Sequence, residues 1–247
     1  MAKEAFQHPG MARLLGLGAM SWFIFWACAP MMSTPPATPM TDPGRSEVGV
    51  SAHGGGGFGR QTNNDEDKDL PSVLGGGTIW LRNGTGPDLQ NQVGGFLHVQ
   101  LRHKLGCTED YCQDGSWGMG SFYRKTLSQS DRFYSGVQLT VGYPFAAVGV
   151  PMAWSMGDGM WLTTQPRIGW GYASMVHLPV GLSMPAGKHG QFNAEIGLHL
   201  DAGALGAVGA PLVDIRDEVY DGHAHYKAMP YIGVGYAMVI GGDKDGG

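Results

Sequence analysis

The chain has 247 residues and a formal net charge of −5; only 15% of its residues are charged, and 42 are glycine. No basic cluster stands anywhere in it, which excludes nucleic acid as a partner. The glycine content suits tight turns and closely packed strands and carries no information about catalysis.

At the N-terminus, Arg13 precedes an apolar stretch from Leu14 to Ala27. That is the length of a signal-peptide core and is short of the roughly 20 residues a membrane-spanning helix needs. Residues 1–27 are therefore expected to be an export signal, with Met11 an equally good start. Two ends of that signal stay open. Ala27-Cys28-Ala29 fits a small-x-small cleavage site, but a cut after Ala29 leaves Pro30 first, a poor substrate for an ordinary signal peptidase. Phe25-Trp26-Ala27-Cys28 resembles the lipobox of bacterial lipoproteins, departing from it where Phe25 replaces the usual Leu and Trp26 a small residue. This resemblance implies acylation of Cys28. The chain has three cysteines. With Cys28 lipidated, Cys107 and Cys112 remain in one loop of an exported protein, and a small disulfide between them is expected. Their spacing is neither Cys-x-x-Cys nor a zinc pattern, so no metal or other cofactor is expected.

Residues 28–74 are rich in Pro, Ser, Thr, Gly and charge, and read as a flexible tether. Gly54 to Gly57 is not followed by Gly-Lys-Ser/Thr, so it is no phosphate loop. Asp65, Asp67 and Asp69 lack the glycine and the closing glutamate of a calcium loop and read as a solvated charge run.

Residues 75–242 form the predicted folded domain, with 243–247 a short tail. Candidate strands begin near Gly76, Gly94, Trp117, Arg132, Met160, Met175, Gln191 and Tyr226; Ala146 to Met156 is either a further strand or half of a long loop. Ala204 to His225 reads as the largest loop. The alternation is clearest from Phe192 to Ala202, where Phe192, Ala194, Ile196, Leu198, Leu200 and Ala202 interleave with Asn193, Glu195, Gly197, His199 and Asp201. Successive side chains of a strand point to opposite faces, so each such segment has one apolar and one polar face. The fold class expected is an all-β, antiparallel up-and-down barrel of about eight strands, with eight to ten allowed.

Nearly every charge shares a face with most of the glycines. This suits a narrow barrel whose polar side chains point inward and whose apolar face meets lipid, and strands of about 10 residues match a tilted membrane crossing. A secreted sandwich or lipocalin-like barrel, apolar face inward and binding an apolar ligand, alternates as well and remains the alternative. The expected interior network is Arg102, Lys104, Arg167, His177, Glu195, His199 and Asp201, read first as paired charges filling the lumen. No Gly-x-Ser-x-Gly, His-Glu-x-x-His or Walker sequence occurs, so no enzyme activity is expected; a membrane-embedded hydrolase using His177, Ser183, Glu195 or His199 is the faintest reading.

From about Gly75 the chain resembles the small OmpA/OmpX-type outer-membrane barrels in architecture, preceded by a lipoprotein-like leader. The resemblance implies a Gram-negative outer-membrane protein whose expected partners are membrane lipid and, through the loops, another envelope or extracellular protein, with a structural or surface-interaction role. It implies no functional residues.

Overall fold

The computed structural model describes residues 35–39, 46–63, 66–85, 91–105, 113–143, 146–170, 175–201, 225–226 and 228–240. The strands are β1 (Ser46–Asn63), β2 (Glu66–Thr85), β3 (Asn91–Lys104), β4 (Gln113–Gln129), β5 (Phe133–Tyr143), β6 (Ala146–Gly149), β7 (Met152–Gly157), β8 (Met160–Thr164), β9 (Arg167–Trp170), β10 (Met175–Pro185), β11 (Gly190–Asp201), β12 (His225–Tyr226) and β13 (Ala228–Ile240). All pairings are antiparallel, and the sheet closes because β13 pairs with both β11 and β1.

These thirteen segments make ten staves. β6 and β7 both pair with β5 and are one strand interrupted at Pro151; β8 and β9 both pair with β10 and are one strand interrupted at Pro166. Proline has no N–H for the ladder, so each interruption falls where a ladder donor is missing. β12 continues β13 along β1. The barrel therefore has ten strands, at the upper limit of the expected range of eight to ten and not the eight counted from the candidate strands. Ala146 to Met156 is a stave and not half of a loop.

The larger correction concerns the tether. Residues 46–74 are not a linker: β1 pairs with β2 from Ser46↔Asn83 through Asn63↔Glu66, and the barrel begins at Ser46, not near Gly75. Glycines 54–57 obscure the alternation there because they have no side chains to reveal a face. Ahead of them the pattern is present, with Glu47 and His53 buried and Val50 exposed.

Burial fixes which way the sheet faces. Ile196 and Ile232 are 62% and 61% exposed, whereas Arg82 and Arg124 are 0% exposed. The apolar faces point out and the polar ones in, which removes the reading of a soluble barrel with an apolar interior. Inside, aromatic rings lie across the sheet from glycines: Trp80 opposite Gly49, Phe122 opposite Gly94, Phe96 opposite Gly120 and Tyr231 opposite Gly197. A Cβ at Gly49 would overlap the Trp80 ring, and one at Gly197 the Tyr231 ring. Glycine does make room in the lumen, as the sequence suggested, but for rings more than for charges.

The two ends differ. Ser46 and Ile240 pair at one end, with the tight turns after β4, β7 and β10. The turn after β7 places Gly157, Asp158 and Gly159 at φ of 92°, 51° and 75°, which glycine adopts freely and aspartate tolerates. The stretches 106–112 and 202–224, including the predicted large loop, join strands at the opposite end and lie outside the described residues.

Candidate functional site

Inward-facing residues form two polar groups in the lumen. The first, near the end that holds Ser46 and Ile240, is centred on Arg82 of β2 and Arg124 of β4. Alternation sends both inward: Leu81 and Tyr123, their chain neighbours, are exposed. Glu47 lies directly across from Arg82 in the β1–β2 register, and its Oε2 accepts from Arg82 Nη2 at 2.6 Å. Arg124 has no carboxylate partner among the described residues. Its Nε donates to Gln138 Oε1 at 2.9 Å, Nη1 to Gln92 Oε1 at 3.4 Å and Nη2 to Gln165 Oε1 at 3.3 Å. Trp80 and Phe122 stand beneath the two guanidiniums, with ring centroids 5.8 and 5.9 Å from Cζ.

What lies between the arginines is the chain itself. Residues 35–39, Pro35-Pro36-Ala37-Thr38-Pro39, sit in the lumen with Pro35, Ala37 and Thr38 buried. Arg82 donates to the carbonyl of Pro36 at 3.1 Å, to that of Thr38 at 2.9 Å and to Thr38 Oγ1 at 3.0 Å. Arg124 donates to the carbonyls of Pro36 and Pro35 at 3.1 and 3.5 Å. Thr38 Oγ1 donates to Gln191 Oε1 at 3.5 Å, tying the segment to β11. Prolines contribute carbonyls and no N–H, so the segment is rich in acceptors where the wall is rich in donors.

The second group contains Arg167, His177, Glu195 and His199, four of the seven predicted lumen residues. Arg167 Nε donates to His177 Nδ1, which leaves the His177 proton on Nε2 to donate to Tyr231 Oη; the tyrosine hydroxyl in turn donates to Glu195 Oε1. The chain runs in one direction from guanidinium to carboxylate, and each donor has an acceptor. His199 lies opposite His177 in the register, stacks on it at 4.2 Å and has no hydrogen-bond partner for either ring nitrogen among the described residues. His53 and His98 stack at 5.2 Å, and His98 Nδ1 and Nε2 bond Thr78 and Gln100. A cavity of about 40 Å³, enough for water, lies between Pro36, Trp80, Asn193 and Glu195 and separates the two groups.

The side chains of Arg102, Lys104 and Asp201, and Cys28, Cys107 and Cys112 altogether, lie outside the described residues. Ser183 donates to Asn193 Oδ1 at 2.6 Å and sits six positions from His177 on β10, about 20 Å along an extended strand. Among the described residues no hydrogen bond joins that serine to a histidine. Among the described residues no three metal-ligating side chains cluster. Sequence reasoning missed Arg82, Arg124 and Tyr231; Trp80, apolar but turned inward, hides the alternation that would have pointed to the first.

The sequence matches no family model and no curated protein. Among solved structures, a COG4313 outer membrane channel from Pseudomonas putida F1 aligns over 84% of this chain and 100% of its own, at 8% identity and a TM-score of 0.54. That likeness shows the fold: a closed antiparallel barrel of the kind found in outer-membrane channels. A TodX monoaromatic hydrocarbon channel mutant also aligns, over 83% of this chain and 92% of its own, at 6% identity and a TM-score of 0.36. So does the translocator domain of the autotransporter NalP from Neisseria meningitidis, over 92% and 95%, at 12% identity and a TM-score of 0.33.

Proposed function

We propose that the protein is an outer-membrane channel held shut by its own N-terminal segment. The observation that carries this is the stopper: residues 35–39 fill the lumen at the end where the chain enters and are held by six hydrogen bonds to wall side chains. All but one of those bonds come from two arginines. A barrel built only as a wall has no need of a separable peptide inside it, because its own side chains can fill ten staves. The apolar outer face, the polar lumen and the short turns at the end holding Ser46 and Ile240 support placement in an outer membrane with that end in the periplasm.

Acylation of Cys28 belongs to the same proposal. Cys28 precedes Pro35 by seven residues, which reach at most about 25 Å, enough to run from the lumen past the rim to the surrounding lipid. A lipid there would hold the stopper close to its seat after release. The Cys107–Cys112 disulfide is proposed at the opposite, loop end.

A structural or surface-interaction barrel is the second reading, favoured by how densely buried side chains fill the layer around Arg82 and Arg124. Planar-bilayer recording separates the two. The full chain is expected to conduct rarely, and a variant lacking residues 35–39 to conduct in long open events. Faster gel migration of the unheated protein confirms that the variant is folded. A folded variant that stays silent removes the channel and leaves the structural reading.

A further inference from the structure

Both guanidiniums converge on one atom. Arg82 Nη1 and Arg124 Nη1 each donate to the Pro36 carbonyl oxygen at 3.1 Å, so the two nitrogens lie within about 6 Å of each other and their charges repel. A neutral carbonyl offsets that repulsion poorly. Glu47 bonds Arg82 alone, and the acceptors around Arg124 are amide and peptide oxygens, so among the described residues two cations share one carboxylate. Both arginines are fully buried. Hydrogen bonds from such cations to an ionised oxygen are about twice as strong as those to a neutral one.

We propose that Arg82 and Arg124 form an oxyanion site in the lumen, and that the carbonyl oxygens of Pro35, Pro36 and Thr38 occupy it in place of a carboxylate or phosphate solute. For its consequence in transport this inference rests on the channel reading; the site itself does not. Three further features fit an anion. Arg82 Nε is buried with no partner among the described residues, a donor the stopper leaves unused. The Trp80 and Phe122 rings flank the guanidinium groups and leave the N–H edges to face the lumen. Gln92, Gln138 and Gln165 hold Arg124 by their oxygens; the Gln92 and Gln138 amide groups donate to Tyr134 and Thr140, while Gln165 Nε2 is buried with no partner among the described residues, a second donor in the same layer left unused.

The stopper and the solute therefore compete for one set of donors. An anion gains access only in the fraction of molecules whose stopper has left, so its apparent affinity in the full chain is lowered by that fraction. Release of the stopper exposes a positively charged constriction, which selects for anions passing through it.

The test uses the full-length protein in detergent, titrated calorimetrically with inorganic phosphate and, in a second arm, with acetate. Thr38→Lys places an ammonium between the arginines and expels the segment; Thr38→Asp supplies the carboxylate from within. Phosphate is expected to bind Thr38→Lys at least about tenfold more tightly than the unmodified chain, to bind Thr38→Asp not measurably, and to lose that gain when Arg124→Gln is added to Thr38→Lys. Preference for acetate over phosphate assigns the site to carboxylates, and the reverse to phosphates. Equal phosphate binding in Thr38→Lys with and without Arg124→Gln overturns the site. Should the lysine variant fail the gel-shift test of folding, unchanged phosphate binding between the unmodified chain and Thr38→Asp overturns it instead. Bilayer currents read the other question: phosphate binding without conduction keeps the site and removes the channel, while conduction unaffected by phosphate and by Arg124→Gln keeps the channel and removes the site.

Discussion

The Arg82–Arg124 layer and the chain from Arg167 to Glu195 both bury guanidinium charge inside the same sheet, and they satisfy it by opposite means. In the second, donors and acceptors all come from the wall: β9, β10, β13 and β11 each contribute one member, and the line ends on a carboxylate. In the first, the wall supplies a surplus of donors and a segment outside the sheet supplies the acceptors. A self-contained network stabilises the barrel whatever the lumen holds. An open-ended one needs an occupant, and an occupant that is not part of the wall can be exchanged.

That contrast can be broken at either layer. The largest loss of stability is expected from Tyr231→Ala, which removes a buried ring and leaves His177 Nε2 and Glu195 without their link. It should cost about 3–5 kcal/mol in urea unfolding of the detergent-folded barrel, with the stopper still seated and bilayer currents unchanged. Open events as frequent as those of the variant lacking residues 35–39 would show that the two layers are coupled. Gly49→Val is next: the new side chain must displace the Trp80 ring that underlies Arg82, at about 1–3 kcal/mol. Here currents should rise, since the disturbed layer is the one that holds the stopper.

Smaller changes sharpen the comparison. Thr38→Ala removes an acceptor for Arg82 and the donor to Gln191, about 0.5–1.5 kcal/mol. The loss should appear as more frequent opening and not in the unfolding midpoint. Ser183→Ala, which breaks one bond to the half-exposed Asn193, should lower stability by about 0.5–1 kcal/mol and leave conduction alone.

How much of this was legible depends on what each strand displays. In β10 and β11, branched or large apolar residues alternate with histidine, glutamate and serine, so both the strands and three lumen residues, His177, Glu195 and His199, could be read directly. In β1 a run of glycines interrupts the alternation, and in β2 the stretch from Glu66 to Pro71 carries charge and a proline; β1 and the first part of β2 dissolved into an apparent tether, while the rest of β2 was read as the strand beginning near Gly76. Period-two reasoning needs side chains on both faces, and glycine supplies neither. The count of eight followed from losing β1 and from leaving Ala146 to Met156 open between strand and loop. Nothing in Pro35-Pro36-Ala37-Thr38-Pro39 signals a place inside the barrel, because its partners Arg82 and Arg124 are more than 40 residues away in the chain and the contact exists only once the sheet has closed.

The seam between β1 and β13 bears on how the protein is made. It pairs Ser46 with Ile240, so the first and last strands of the barrel meet only after every strand between them has been synthesised. Contacts that distant in sequence form late and slowly. Until then the sheet is an open ribbon with two free edges, and residues 35–39 hang from one of them. The stopper needs no passage through a finished wall: the last strand to be made shuts the cylinder around a segment that was made before the first.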